Sequence, residues 1–280
     1  MQSSNPVFRR SEGFNGRGTT YPASGMSYPS YGSGPTATEP TYQPYAPAQG
    51  GGRMTIDTVV QKSAITLGLV VLTAAATWFL TPEAGAANAG SLYLLLMVGA
   101  FGGFALSMVN SFKRVISPGL VIAYAVLEGL FVGAFSKVID ASFGGGEHGI
   151  VVGAVAGTFA AVGGTLAAYK FFDIKVGQRF RTWVIGAMFG FVAVALLDAV
   201  LGIFGASFGF NGFGGLGLFS SVIGLGLGVL MLILDFDFVE RGIEAGLPER
   251  ESWRAAFGLT VTIIWIYVEL LRILAILRGD

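Results

Sequence analysis

The chain has 280 residues, 53% hydrophobic and 12% charged, with 17 acidic and 17 basic side chains and a mean hydropathy of +0.67. An ordinary soluble domain is about 25% charged, so the apolar excess has to face lipid, and zero net charge with scattered bases excludes a nucleic-acid partner. The absence of cysteine and the single histidine, His148, exclude disulfides, thiolate chemistry and most soft-metal sites, so no cofactor is expected.

Residues 1–52 differ in kind from the rest. Tyr21-Pro22, Tyr28-Pro29, Tyr31-Gly32 and Gln43-Pro44-Tyr45 are separated by Gly, Ser and Thr, with almost no aliphatic side chains. Such a stretch cannot bury a core, and a disordered cytoplasmic tail is expected. Arg9-Arg10 has no apolar run behind it, so no cleaved export signal is expected. A Pro/Tyr-rich arm can dock on aromatic grooves, but a flexible tether is the preferred reading.

From residue 53 to 280 the pattern is a series of apolar runs, each near the roughly 20 helical residues that cross a bilayer. Seven are expected: Thr58 to Leu80, Ser91 to Phe112, Pro118 to Val138, Gly149 to Phe171, Thr182 to Gly205, Leu216 to Val239 and Arg254 to Leu277. Their joints carry turn chemistry: Thr81-Pro82, Ser117-Pro118, Gly144-Gly145-Gly146, a charged link from Asp173 to Arg181, and a Gly/Phe-rich link around Asn211. The fold class is thus an all-α membrane protein, a seven-helix bundle. With the tail inside, Arg53, Lys62, Lys113, Arg114, Lys170, Lys175, Arg179, Arg181, Arg241, Arg250 and Arg254 fall on the cytoplasmic side, and only Lys137 and Arg278 outside. This is the positive-inside bias of a plasma-membrane protein with its amino end in the cytoplasm and its carboxyl end outside. A re-entrant last run would return the carboxyl end inward, with Arg278 alone to report on it.

Glycine recurs four apart at Gly99/Gly103, Gly129/Gly133, Gly149/Gly153/Gly157, Gly186/Gly190 and Gly224/Gly228. Small residues at that spacing let helix backbones approach in lipid, which predicts tight packing without specifying a dimer. Two glycine motifs imitate chemistry. Gly205-Ala206-Ser207-Phe208-Gly209 fits a nucleophile elbow but lacks a base, since His148 lies in another link. Gly212-Phe213-Gly214-Gly215-Leu216-Gly217 fits a phosphate loop but has no βαβ unit around it, and reads as a loop and helix start. Asp140, Glu147 and His148 share one link without rigid ligand spacing, and a solvated polar loop is the preferred reading over a cation site. No enzymatic activity is expected.

The ionisable residues within apolar runs are more informative. Such groups pair, face a bundle interior or mark an ion path, because lipid does not solvate them. Glu128 follows Pro118 by ten residues, about 15 Å, and so lies near mid-bilayer. Asp198 sits in the outer third of the fifth run, and Asp235 and Asp237 in the inner part of the sixth. Glu269 and Arg272 lie within the seventh. Residues two apart point to nearly opposite faces, so Asp235 and Asp237 do not share a cavity. Glu128, Asp198 and Asp237 are candidates to line a cation path. Asp237, with Glu240, also reads as an interfacial solvated residue, and Glu128 as a neutral carboxyl that ties helices together. Glu269 has a structural alternative in Arg272, three residues on and on the same helix face.

At these residues a resemblance emerges. Ile233-Leu234-Asp235, followed by Ile266 to Leu274, resembles the sixth and seventh spans of the Bax inhibitor-1 family, also called the transmembrane Bax-inhibitor-motif family. Ala125 to Leu130 is similar to a Leu-Glu-Gly element of an earlier span. The likeness covers about residues 53–277, and the tail followed by Arg53 to Asp57 resembles the actinobacterial branch. It implies a pH-sensitive Ca²⁺ leak in which a carboxyl pair of the sixth and seventh spans shares a proton and closes the pore. By matching, that pair is Asp235 and Glu269, tuned by Arg272. Two carboxyls held close do not both ionise readily, which makes such a pair a pH sensor, while the guanidinium beside Glu269 opposes proton sharing. The family pair is usually two aspartates, so Glu269 departs from the pattern. The pair meets only if the seventh span starts later than Arg254, with Glu251 to Gly258 at the inner surface. Lipid, Ca²⁺ and protons are the implied partners. The competing reading is a structural or regulatory protein that binds other membrane proteins, such as a membrane protease, through its glycine-lined faces.

Overall fold

The computed structural model describes residues 52–82, 89–144 and 149–279. The tail expected over residues 1–51, together with Glu147 and His148, lies outside the described residues. Among the described residues there are seven helices: α1 (Ile56–Leu80), α2 (Ala89–Phe112), α3 (Pro118–Phe143), α4 (Gly149–Phe171), α5 (Gln178–Ile203), α6 (Gly215–Glu244) and α7 (Glu251–Gly279). All are long and apolar enough to cross a membrane. Lengths run from 23 residues in α4 to 30 in α6, about 35 to 45 Å along their axes.

The helix ends follow from local chemistry. Thr55 and Thr58 form a reciprocal capping box at the start of α1, with Asp57 in its first turn, where the helix dipole favours an acid. Pro118 opens α3 at a position that needs no N–H donor. Several helices are longer than the sequence reading: α3 runs on to Phe143 and α5 starts at Gln178. α6 continues past Val239 to Glu244, and α7 begins at Glu251 and runs unbroken through Gly258. The expected inner-surface segment from Glu251 to Gly258 is therefore a helical turn of the bundle itself: Ser252, Ala255, Ala256 and Phe257 are buried there, and burial on that face extends the helix.

α7 is the axis of the bundle. In its spanning stretch 61% of residues are buried within the chain, against 17–39% in the other six. It touches α1, α3, α4 and α6, whereas α2 packs on α3 and α5 on α6. Glycine seams set the spacing. A Cβ on Gly99 would stand 2.6 Å from the Phe131 backbone nitrogen of α3, and one on Gly133 would stand 2.5 Å from the Ala74 carbonyl of α1. Gly224 and Gly228 of α6 meet Glu269 and Ile266 of α7. Gly186 and Gly190 of α5 are different, with no atom within 4 Å of a Cβ built there. Four of the five glycine series read from the sequence are thus helix contacts, and the fifth faces outward from the chain.

One end of the bundle gathers most of the charge. There Gly52 to Met54 lie antiparallel to the α6–α7 turn: the Met54 N–H donates to the Leu247 carbonyl at 2.8 Å and the Glu249 N–H to the Gly52 carbonyl at 2.7 Å. Met54 itself is buried in the α6–α7 core. One turn further in, the Lys62 ammonium reaches the Glu249 carboxylate at 2.8 Å and the Glu249 carbonyl at 3.1 Å, beside the Trp253 ring. The hydrogen bond and charge of Lys62 hold the Glu249 carboxyl below its usual value of 4.5.

Two measurements check this packing. Gly99→Ala should lower the melting temperature in detergent, with a cost of about 1–3 kcal/mol because the neighbour is backbone, whereas Gly186→Ala should be neutral or stabilising by about 0.5–1 kcal/mol. Because Glu249 is depressed in the folded state, its contribution is complete above the usual carboxyl range and is lost as pH falls through the folded value. Acid melting curves of Glu249→Gln should therefore show a shallower fall in stability below about pH 4.5 than those of the parent protein.

Candidate functional site

α6 and α7 meet in one antiparallel register, and the ionisable residues are distributed along it. In the third of it nearest the α6–α7 turn, Asp235 of α6 lies against Gly258 of α7, where a Cβ would come to 3.3 Å from its Oδ1. One turn on, the Thr262 hydroxyl donates to its Oδ2 at 2.6 Å. Asp235 is half-buried. Three bases on the helices around α6 are engaged elsewhere: Lys62 of α1 with Glu249, Arg181 of α5 with Asp237, and Arg254 of α7 with Glu251. On α4, the Tyr169 hydroxyl donates to Glu240 at 2.6 Å. Asp235 is left with a neutral donor.

At the other third of the register, Glu269 stands over Gly224, whose missing side chain makes room for the carboxyl. Glu269 is buried, and Arg272 donates to it at 3.2 Å. The buried Ser221 hydroxyl of α6 is within electrostatic reach of that carboxyl but outside strict hydrogen-bond geometry. The second terminal nitrogen of Arg272 donates to the carbonyls of Phe210 at 3.1 Å and Gly212 at 3.3 Å. Those carbonyls belong to the α5–α6 loop, and Asp198 shapes that loop. Its Oδ1 accepts the Ser207 hydroxyl at 2.9 Å and the Phe208 and Gly209 N–H groups at 2.8 and 3.2 Å, and its Oδ2 accepts the Asn211 N–H at 2.8 Å. Gly205 and Gly209 take the positive φ angles, +74° and +88°, that this reversal requires.

The nucleophile-elbow look-alike is therefore a carboxylate-organised loop whose serine is occupied with Asp198. The second glycine motif is the turn into α6, which begins at Gly215, as the sequence indicated.

Asp237 is buried between two guanidiniums, Arg181 of α5 at 2.6 Å and Arg241 one turn on at 2.9 Å. It is not the solvated interfacial residue that its sequence neighbours suggest, because α5 brings a base over it. Glu128 is half-buried on α3, one turn from Tyr124, and lies against Gly103 of α2.

The register also decides which acids meet. Asp235 and Gly224 are eleven residues apart on α6, about 16 Å, and Thr262 and Glu269 are seven apart on α7, about 10 Å. Asp235 and Glu269 thus occupy different levels and do not form the carboxyl pair read from the resemblance. The α7 residue that Asp235 meets is Thr262, which does not ionise. No three acidic or histidine side chains converge on a metal-sized site among the described residues.

Comparison with known proteins adds two findings. The family model described as Bax inhibitor 1 like matches residues 5–279. An uncharacterized protein of Chlamydia muridarum is 35% identical over 86 residues, which are 31% of this chain and 34% of that protein, so the match spans about a third of the relative's length.

The Glu269 geometry makes a direct prediction. Glu269→Gln leaves Arg272 without its counter-charge in the core, and stability in detergent should fall by about 3 kcal/mol or more, as for other broken buried pairs. Replacing Glu269 and Arg272 together by Gln and Leu should recover part of that loss, a double-mutant coupling measurable by thermal melting.

Proposed function

We propose, from the premise that the chain belongs to the Bax inhibitor 1 like family, that it is a cation leak of the membrane, with Ca²⁺ as the transported ion and Asp235 as the pH-responsive group. The observation that carries this reading is the contact between Asp235 and Thr262. It is a carboxyl at the seam between the central helix and α6, held by a neutral hydroxyl, whereas Asp237 two residues on is held between two guanidiniums. A charge there attracts a hard cation that prefers oxygen ligands. A proton there removes that attraction and turns the carboxyl into a donor, which resets the α6–α7 contact. Flux should accordingly fall as pH is lowered.

In this reading Glu269 and Arg272 hold the far end of the same seam in place and are not the titrating pair. Asp198 and Asp237 anchor α5 and its loops, and Glu128 is left as the candidate lining group between α2 and α3. The bulk of the tail is a tether, the amino end lies in the cytoplasm, the membrane is the plasma membrane, and the activity is not enzymatic.

A second reading has its own support. Asp198, Asp237 and Glu269 are all saturated by backbone N–H groups or guanidiniums, the arrangement of a dry scaffold. A protein that binds and modulates other membrane proteins needs nothing more from them.

Ca²⁺ flux into liposomes holding the purified chain separates the two. Flux that falls as pH is lowered, and becomes low and pH-independent in Asp235→Asn, supports the leak. Flux no greater than in empty liposomes, with the protein inserted and folded, moves the function to the scaffold reading. Retained pH dependence in Asp235→Asn removes Asp235 from the role.

A further inference from the structure

At the charged end, the α2–α3 link and the α6–α7 turn enclose an open groove of about 630 Å³. Lys113 and Arg114 of the link line it with Phe112, Phe238 and Leu247, and Arg254 is paired to Glu251 within it. The lining therefore holds three bases and one acid. Lys113 and Arg114 are exposed, and none of the ion pairs among the described residues uses them. Their backbone is held all the same: Arg254 donates to the Arg114 carbonyl at 3.0 Å and toward that of Lys113 at 3.5 Å, and Arg250 donates to the Ile116 carbonyl at 3.0 Å. Two unpaired bases are thus presented from a link that α7 fixes in place.

The groove also has an apolar side. Phe112 ends the α2 span with 82% of its surface exposed, and Phe238 lies in the last two turns of α6 with 36% exposed. Bases sit here directly beside apolar side chains at the end of membrane spans. A free anion has use for the bases alone, whereas an amphiphile uses both.

We infer that this groove binds an anionic phospholipid, its phosphate on Lys113 and Arg114 and its acyl part against Phe112 and Phe238. Guanidinium and ammonium donors suit phosphate oxygens, and basic clusters next to a span draw acidic headgroups. Arg254 serves as the positioning residue, since it holds the link through two carbonyls and is partly neutralised by Glu251.

The test is binding to the full chain in zwitterionic detergent, followed by native mass spectrometry, with phosphatidylglycerol, phosphatidylcholine and sn-glycerol 3-phosphate as separate probes. The groove variant is Lys113→Gln with Arg114→Gln. The control is Lys175→Gln with Arg179→Gln, which removes the same charge from the α4–α5 link and the first turn of α5, outside the groove. Phosphatidylglycerol should bind more tightly than phosphatidylcholine, and the groove variant should weaken it by about tenfold or more, with the control within about twofold of the parent. Equal losses in both variants would reduce the effect to diffuse surface charge and overturn the site. Equal binding of the two lipids would overturn the headgroup assignment, and retention of glycerol 3-phosphate without phosphatidylglycerol would make the site one for a soluble phosphate.

Discussion

A guanidinium in the core of a membrane bundle has to find acceptors, and much of the α5–α7 architecture follows from where Arg272 finds them. Its neighbours on α7 are apolar, and lipid offers it nothing. One terminal nitrogen takes Glu269 and the other takes two loop carbonyls. Those carbonyls are in reach because Asp198 folds the loop back over the bundle, and Glu269 fits because α6 has glycine at position 224. α5, the α5–α6 loop, α6 and α7 are thereby joined by one connected polar network that an apolar exterior conceals.

The charged end solves the same problem differently. Arginines there spend their donors on backbone carbonyls of neighbouring links: Arg254 on 113 and 114, Arg250 on 116 and Arg241 on 176. Positive charge at that end therefore works within the chain itself. It gives donors to link carbonyls that no helix ladder satisfies, and it fixes the links that carry the unpaired bases. Between these two ends Asp235 meets a hydroxyl at the seam of the central helix, where Asp237 and Glu269 meet guanidiniums.

How much of this was legible beforehand depended on the kind of signal. Spans were visible because run length and turn residues are local, and the glycine seams because their spacing is. Glu269 with Arg272 was visible as one of two alternatives, since three residues on a helix place them together whatever the rest does. The partner of Asp235 was not. Residue matching proposed Glu269, but the pairing depends on the register between two helices, and periodicity fixes the face of each without fixing how far one slides along the other. Thr262 carries no charge and so gave no warning. Asp198 was read for its depth, although the Ser, Gly and Asn residues that follow it are the composition of a loop folding around a carboxylate. Asp237 was misread from its own neighbours because Arg181 arrives from a different helix.

The lock between Lys62 and Glu249 also orders events in time. The two residues are 187 apart in the chain, so at a synthesis rate of about 5–20 residues per second the first span enters the bilayer roughly 10 to 40 s before its counter-charge exists. During that interval the lysine, one turn in from the boundary, can keep its ammonium wet only by extending toward the interface. α1 can dock on α3 through the glycine seam well before that, but the lock at its amino end closes only once the turn before α7 has been made. A chain halted before that turn therefore holds an α1 that is packed along its length and still unfastened at its charged end.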